Sequence, residues 1–296
     1  MIPEAPADIL TVIRSFVPDQ RKPVAAARQD FSAFYREFQG EIPGGVRQDR
    51  FAIREDLSGS MISVPESTSD RVLLFFHSGG FTAGSTSDHL GFCARIALAA
   101  RANVFSVDYR LAPEHVFPAA VNDAVDAYRF LTANGITARR IIPTGIAAGG
   151  NLVLALLLRL RDENMVLPPA AICFSPIVDL LFPGESVKRN SEKDWLSPAR
   201  LAAIRTSYLA AHDPADPLAS PTNAKLRGLP RLYIQAGSHE ILFDSISAFV
   251  DKARWAGVPV QYEIWEGMFH CWQLFAEQIP EGGEAIAGIG PFVGTF

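Results

Sequence analysis

Gly145-Ile146-Ala147-Ala148-Gly149-Gly150 follows a short β-rich run and opens the apolar stretch 151–160. Strand, glycine-rich turn and helix in that order are the setting of a nucleophile elbow, where the third residue of G-x-S-x-G stands alone at the top of the turn. Glycines permit the sharp backbone and let strand and helix approach closely. The chemistry implied is attack by a side chain at a helix N-terminus, yet the residue presented here is alanine, which carries no nucleophile. The same glycines would also suit a dinucleotide loop or plain close packing, but G-x-G-x-x-G is absent and no acidic residue sits where a ribose would need it.

A second group follows the first strong apolar run: His77-Ser78-Gly79-Gly80-Phe81. Small residues there leave backbone N–H groups free to face a developing negative oxygen, as an oxyanion hole requires. Next come Asp108-Tyr109-Arg110-Leu111-Ala112-Pro113-Glu114-His115 and Phe117-Pro118-Ala119-Ala120. In this order, with the glycine turn at 145–150, the motifs resemble H-G-G-G, Y-R-L-A-P-E-H, F-P-A-A and G-x-S-A-G-G of the hormone-sensitive-lipase family, the bacterial family IV esterases. The likeness continues through Ser175-Pro176, Asp179-Leu180, Pro217–Pro221 and Gly267–His270, covering essentially residues 71–275.

The resemblance implies an α/β-hydrolase fold and a role for each matching position. Position 147, occupied by Ala147, is the nucleophile site. The amides of Gly79, Gly80 and Ala148 form the oxyanion hole, and His270 is the general base and then acid. The triad acid falls in Gly237-Ser238-His239-Glu240-Ile241-Leu242-Phe243-Asp244, where Glu240 matches the family position and Asp244 is the fallback. Nucleophile, acid and histidine then occur in the chain order expected of this fold. No cofactor is implied. Phe81, Trp195, Phe269 and Trp272 suggest an apolar, aromatic substrate pocket for small uncharged esters, with lactones the main variant and amides or carbamates further ones. Members of the family often pair through the last strand, so a homodimer is within expectation.

Two departures stand out. Ser78 replaces the first glycine of H-G-G-G, and the glycines after it leave the oxyanion hole intact. Ala147 removes the Oγ, so no acyl-enzyme can form; loss of a triad serine in another serine hydrolase costs about 10⁶ in turnover. Two readings compete. In one, the natural protein has serine at position 147 and this chain is an inactive Ser-to-Ala variant of it, with the rest of the machinery in place. In the other, alanine is native and the pocket only binds, as in the plant gibberellin receptors that resemble these esterases. The retained histidine, acid and glycines favour the first.

These residues need a scaffold. Arg71–Phe76, Asn103–Val107, Arg140–Pro143, Ala170–Phe174, Arg231–Gln235 and Val260–Trp265 read as buried strands, with helical patterns at roughly 88–101, 119–134, 148–163, 197–211 and 243–256. Such alternation predicts a mostly parallel sheet with helices on both faces, and a ligand site at the carboxyl ends of its strands. Residues 1–45 predict one or two helices with Phe16, Phe31, Phe34, Tyr35 and Phe38 on an apolar face. Together with the insertion at 182–215 they are expected to form a helical cap on one α/β domain spanning 1–296.

Bulk properties narrow the partners. Of 296 residues, 48% are hydrophobic and 20% charged, with a net charge of −5, which suits a globular enzyme and gives nucleic acid no basic stripe. No apolar run approaches the ~20 residues of a membrane span, and the first residues have no export signal, so a cytoplasmic protein is expected. Cys93, Cys173 and Cys271 are widely spaced and odd in number, and are expected as buried thiols. No metal site is expected, because the six histidines lack ligand spacing beside carboxylates. Of these, His77 is expected to brace the oxyanion loop and His115 to bond internally, while His89, His212 and His239 are expected in solvent.

Overall fold

In the computed structural model, which describes residues 6–16 and 22–296, the apolar runs become an eight-stranded sheet. The six expected strands are present as β3 (Thr68–Phe76), β4 (Ala102–Asp108), β5 (Ile141–Ile146), β6 (Ala170–Phe174), β7 (Arg231–Gly237) and β8 (Val260–Trp265). Two more, β1 (Arg47–Arg54) and β2 (Leu57–Ser63), form a hairpin not expected from the sequence. The strand order is β1-β2-β4-β3-β5-β6-β7-β8. Pairings from β4 to β8 are parallel, whereas β2 runs antiparallel to both β1 and β4. Strands β5 and β6 are buried along their whole length, as strands covered on both faces must be.

From β3 the chain crosses to β4 on one side and then to β5 on the other. That reversal opens a crevice at the carboxyl ends of β3 and β5, the place where open α/β sheets bind ligands. Both chemical motifs, 77–81 and 145–150, leave the sheet there.

The helices are α1 (Pro6–Phe16), α2 (Val24–Phe38), α3 (Leu90–Ala100), α4 (Ala119–Ala133), α5 (Ala148–Asp162), α6 (Ser186–Arg189), α7 (Pro198–Leu209), α8 (Phe243–Trp255), α9 (Pro280–Ala287) and α10 (Ile289–Val293). Helix α5 packs so closely under the sheet that a Cβ on Gly149 would strike the carbonyls of Phe76 and His77. Helix α7 starts where Ser197 Oγ accepts the Arg200 amide at 3.2 Å, with Pro198 in its first turn.

Helix α2 buries Phe31, Phe34, Tyr35 and Phe38, which recur at i, i+3, i+4 and i+7 on one helical face. Residues 1–5 and 17–21 of the expected N-terminal helices, and the side chain of Phe16, lie outside what is described. The 182–215 insertion contains α6 and α7. Among the described residues, no helix is long and apolar enough to cross a membrane. All three cysteines are buried.

Candidate active site

Ala147 lies between β5 and α5 with φ 52° and ψ −112°, a conformation an L-residue rarely adopts. Such strain costs on the order of 1–3 kcal/mol and persists only where the surroundings over-determine it. They do so here. The Ala147 amide donates to the Phe174 carbonyl at 2.9 Å, and its own carbonyl accepts the amides of Asn151 at 3.2 Å and Ile177 at 3.1 Å. Asn151 then donates through Nδ2 to the carbonyls of Ile177 and Ala219, at 2.8 and 2.9 Å, tying the elbow to two neighbouring loops. Ala148 opens α5, so its N–H is among the first four with no acceptor inside the helix.

The histidine arrives from the loop after β8 and the acid from the loop after β7. His270 Nδ1 stands 2.9 Å from Glu240 Oε2, with both side chains buried. The other carboxylate oxygen, Oε1, accepts the Gly237 amide at 2.6 Å and the Ser175 hydroxyl at 2.8 Å. Ser175 Oγ in turn accepts the Cys271 amide at 3.2 Å, so one hydroxyl links both loops. Asp244, the alternative acid, is engaged elsewhere: its carboxylate accepts the Ser186 amide and Arg189 Nη2, each at 2.8 Å. Those donors hold the Asp244 carboxyl below its ordinary range against the upward pull of burial. For His270, burial acts to lower the pKa, but the neighbouring Cys271 and the Glu240 carboxylate outweigh it, and the net direction is well upward.

On the β3 side, the Asp108–Arg110 motif supports the glycine loop. Tyr109 stacks on His77 with centroids 4.1 Å apart, and its hydroxyl donates to the His77 carbonyl at 2.9 Å. Asp108 Oδ1 accepts the Thr86 amide at 2.7 Å. Arg110 and Arg54 both bond the fully buried Asp123, at 2.8 and 2.6 Å.

Ser78 is more than a replaced glycine. Its amide donates to His89 Nε2 at 3.3 Å, which makes that nitrogen the unprotonated one and leaves Nδ1–H to donate to the Ser85 carbonyl at 3.0 Å. Ser78 Oγ therefore donates to His89 Nε2 at 2.8 Å and accepts the Tyr35 hydroxyl of α2 at 2.6 Å. Burial, and then the neighbouring His77, push the His89 pKa down to about 3, in keeping with the neutral ring. This corrects the expectation of a solvated His89. His115, expected to bond internally, is exposed instead. His77 braces the loop through one ring nitrogen, Nδ1, at 2.7 Å from the Ser78 carbonyl, while its buried Nε2 has no partner among the described residues.

Ala147, His270, Gly79, Gly80 and Trp195 line one small cavity. Three expected wall residues do not. Phe81 is fully buried, turned away by its left-handed backbone (φ 62°) and stacked on Tyr208 of α7 at 3.7 Å. Phe269 packs against Phe275, and Trp272 lies beside Trp265, both inside the core. Adjacency in sequence misled here, because successive residues in a turn point in different directions. The walls are instead completed by Phe31 and Tyr35 of α2, by Ile177 and Cys271, and by Leu196, Arg200 and Ile204 at or within α7. The last three recur every fourth residue, a one-face helical spacing that could have disclosed them. Phe31, Arg200 and Ile204 also border an outer cavity of about 150 Å³.

A family model described as the alpha/beta hydrolase fold matches residues 73–274. The chain is 42% identical over 232 residues to an acetyl-hydrolase of Streptomyces hygroscopicus, covering 78% of each chain. It is 36% identical over 229 residues to an esterase of Acinetobacter venetianus, covering 77% of this chain and 76% of that one. A crystal structure of an esterase from the bacterial hormone-sensitive lipase family matches with a TM-score of 0.93 at 37% identity, over 99% of this chain and 98% of the other.

Proposed function

Since the chain belongs to the α/β-hydrolase family and is a carboxylesterase-type hydrolase, we propose that position 147 is its nucleophile site, served by Glu240 and His270, for small uncharged or cyclic esters. Alanine there leaves a protein that holds such esters without cleaving them. The observation that carries this reading is the meeting, in one cavity, of a strained elbow residue, an acid-paired histidine and two glycine-loop residues.

With serine at position 147, His270 takes the hydroxyl proton as Oγ bonds the acyl carbon. The carbonyl oxygen becomes negative against the amides of Gly79, Gly80 and Ala148, where the N-terminal end of α5 adds a favourable field. His270 returns the proton to the leaving alkoxide, and water then repeats the sequence to free the acid. Glu240 accepts from Nδ1–H throughout, fixing the tautomer and stabilising the imidazolium. The insertion at 182–215 and α2 act as the cap that keeps the small cavity dry. Its size and its walls of Phe31, Ile177, Leu196 and Ile204 support short or cyclic groups, lactones included, over long chains.

Ala147→Ser tests the reading. The variant is expected to hydrolyse short p-nitrophenyl esters about 10⁶-fold faster than the alanine protein. A folded variant that stays inert on esters and lactones would hand the pocket to the binding-only reading.

A further inference from the structure

The insertion touches the acid's loop through Ser186, whose hydroxyl donates to the Ile241 carbonyl at 2.9 Å, and reaches both catalytic loops through the segment 190–196. Asn190 Nδ2 donates to the carbonyls of Ser238 at 3.0 Å and Glu240 at 2.8 Å. Trp195 Nε1 donates to the His270 carbonyl at 2.6 Å. Between them lies Asp194, a carboxylate 1% exposed, with no cation paired to its side chain among the described residues. Its Oδ2 accepts the Ile241 amide at 2.8 Å, and its Oδ1 accepts the amides of His270 at 3.2 Å and Leu196 at 3.3 Å. Arg14 of α1 grips the same residue from outside, donating to the Asp194 carbonyl through Nη2 at 2.8 Å and Nε at 3.2 Å.

We propose that Asp194 is a positioning residue for the Glu240–His270 pair, its two oxygens fixing the backbone of the two loops that carry them and coupling both to the insertion. The inference rests on the ester-hydrolase reading, in which that pair performs the proton transfers. A buried carboxylate is expensive, and polar side chains with simpler demands could have filled the space. The position is suited instead to a group with two anionic acceptors set at a fixed angle. One carboxylate meets the backbone N–H of Ile241, next to the acid, and of His270 itself. A displacement of Asp194 therefore bears on both partners of the 2.9 Å hydrogen bond. Ser175 and the bond from the His239 amide to the Met268 carbonyl also join the two loops, and Asp194 adds the tie from both of them to the insertion.

The electrostatics agree with such a device. Burial raises the Asp194 carboxyl and Glu240 pushes the same way, for a net value of about 6 once the opposing contacts are included. His270 and the amides of Ile241 and His270 pull it down, so these contacts keep the charged form in use near neutral pH.

Two independent measurements test the assignment. In the alanine protein, the hydrogen-bonded Nδ1–H of His270 is followed by NMR, assigned with His270→Gln. Asp194→Ala is expected to speed its exchange with solvent by about tenfold or more, the worth of a charge-assisted hydrogen bond. Asp194→Asn, which keeps one acceptor, should fall between. In the Ala147→Ser background, Asp194→Ala is expected to lower kcat about tenfold while KM stays within about twofold, because the loss reaches the reacting atoms through His270. Trp195→Phe removes the bond to the His270 carbonyl and alters the cavity wall, so only its Nδ1–H exchange is read, which should speed up by less; it serves if the Asp194 variants do not fold. Unchanged Nδ1–H exchange in a folded Asp194→Ala or Trp195→Phe protein overturns the proposal, as does a change in melting temperature alone. If Ala147→Ser proves inert, the hydrolase reading falls, yet the exchange measurement still decides whether Asp194 positions the pair.

Discussion

At the elbow, Ala147 is held by its own backbone, through hydrogen bonds to Phe174, Asn151 and Ile177, and α5 packs under it with no room for a Cβ at Gly149. Across the cavity, the facing wall consists of side chains: Phe31 on α2 and Ile204 on α7. The floor is thus built on one contiguous elbow, 145–150, hydrogen-bonded to the end of β6 and the loop after it at the centre of a buried sheet. The roof is specified by residues some 170 positions apart, brought together by two elements at the periphery. On the proposed reading, chemistry that needs fixed geometry sits on the first, and selection among substrates falls to the second. Substitutions in the floor should abolish reaction or stability, while those in the roof should redirect it.

The largest contrast lies between the two acids. In the Ala147→Ser background, Glu240→Gln is expected to lower kcat by about 10⁴, since it removes the charge that orients His270 and stabilises its imidazolium. Asp244→Asn, which loosens only the tie to Ser186 and Arg189 at the insertion, should cost less than about tenfold. Steady-state kinetics of the two variants check the ranking, and the reverse order would move the triad acid to Asp244.

The pH profile sharpens the comparison next. Burial opposes protonation of His270, but Cys271 and Glu240 prevail and its pKa rises. A raised pKa keeps the imidazole protonated to higher pH, and only the neutral ring can act as base. The kcat/KM of the Ala147→Ser protein should therefore fall as pH drops through a midpoint above the ordinary histidine value of about 6.5. Replacing Glu240 with Gln should move that midpoint down.

Stability separates the regions by a smaller margin. Gly149→Ala forces α5 away from the Phe76 and His77 carbonyls and is expected to cost about 1–3 kcal/mol in denaturant unfolding. Ile204→Leu conserves volume in the roof and should cost less than about 1.5 kcal/mol, appearing instead as an altered KM between acetyl and butyryl esters.

The same division explains what could be read from the sequence. Strands β3 to β7 were legible because a buried parallel strand is a short apolar run; Val260–Trp265 is also a strand, but as the sheet's edge it has no buried residue, contrary to the buried strand expected there. The β1–β2 hairpin was not. Its outer strand, Arg47–Arg54, is exposed at six successive positions and shows no apolar alternation, and Leu57–Ser63 is interrupted by serine and glycine. Helices α9 and α10 contain Pro280, Gly282, Gly283, Gly290 and Pro291, residues of poor helix propensity, and form because tertiary packing overrides it. At the site, the positions later found together at the elbow, the glycine loop and the acid–histidine pair were readable as motifs. Of the expected walls, only Trp195 lines the cavity: Phe81, Phe269 and Trp272 lie close to motifs in sequence but face the core, whereas Leu196, Arg200 and Ile204 reach the cavity from α7 and the turn before it, with no motif to mark them. His89 was misread for the same reason, its partner Ser78 being visible only once β3 and α3 are packed together.

The claim on which the account turns is that position 147 presents the attacking group to a carbonyl held over the floor. Intact-mass and peptide mapping of the Ala147→Ser protein after treatment with a small p-nitrophenyl phosphonate tests it most directly. The account predicts one phosphonyl adduct, mapped to position 147, formed with release of one equivalent of p-nitrophenol and absent from the alanine protein. A folded Ala147→Ser protein that takes no label, or takes it at Ser78 or Cys271 instead, would contradict the account.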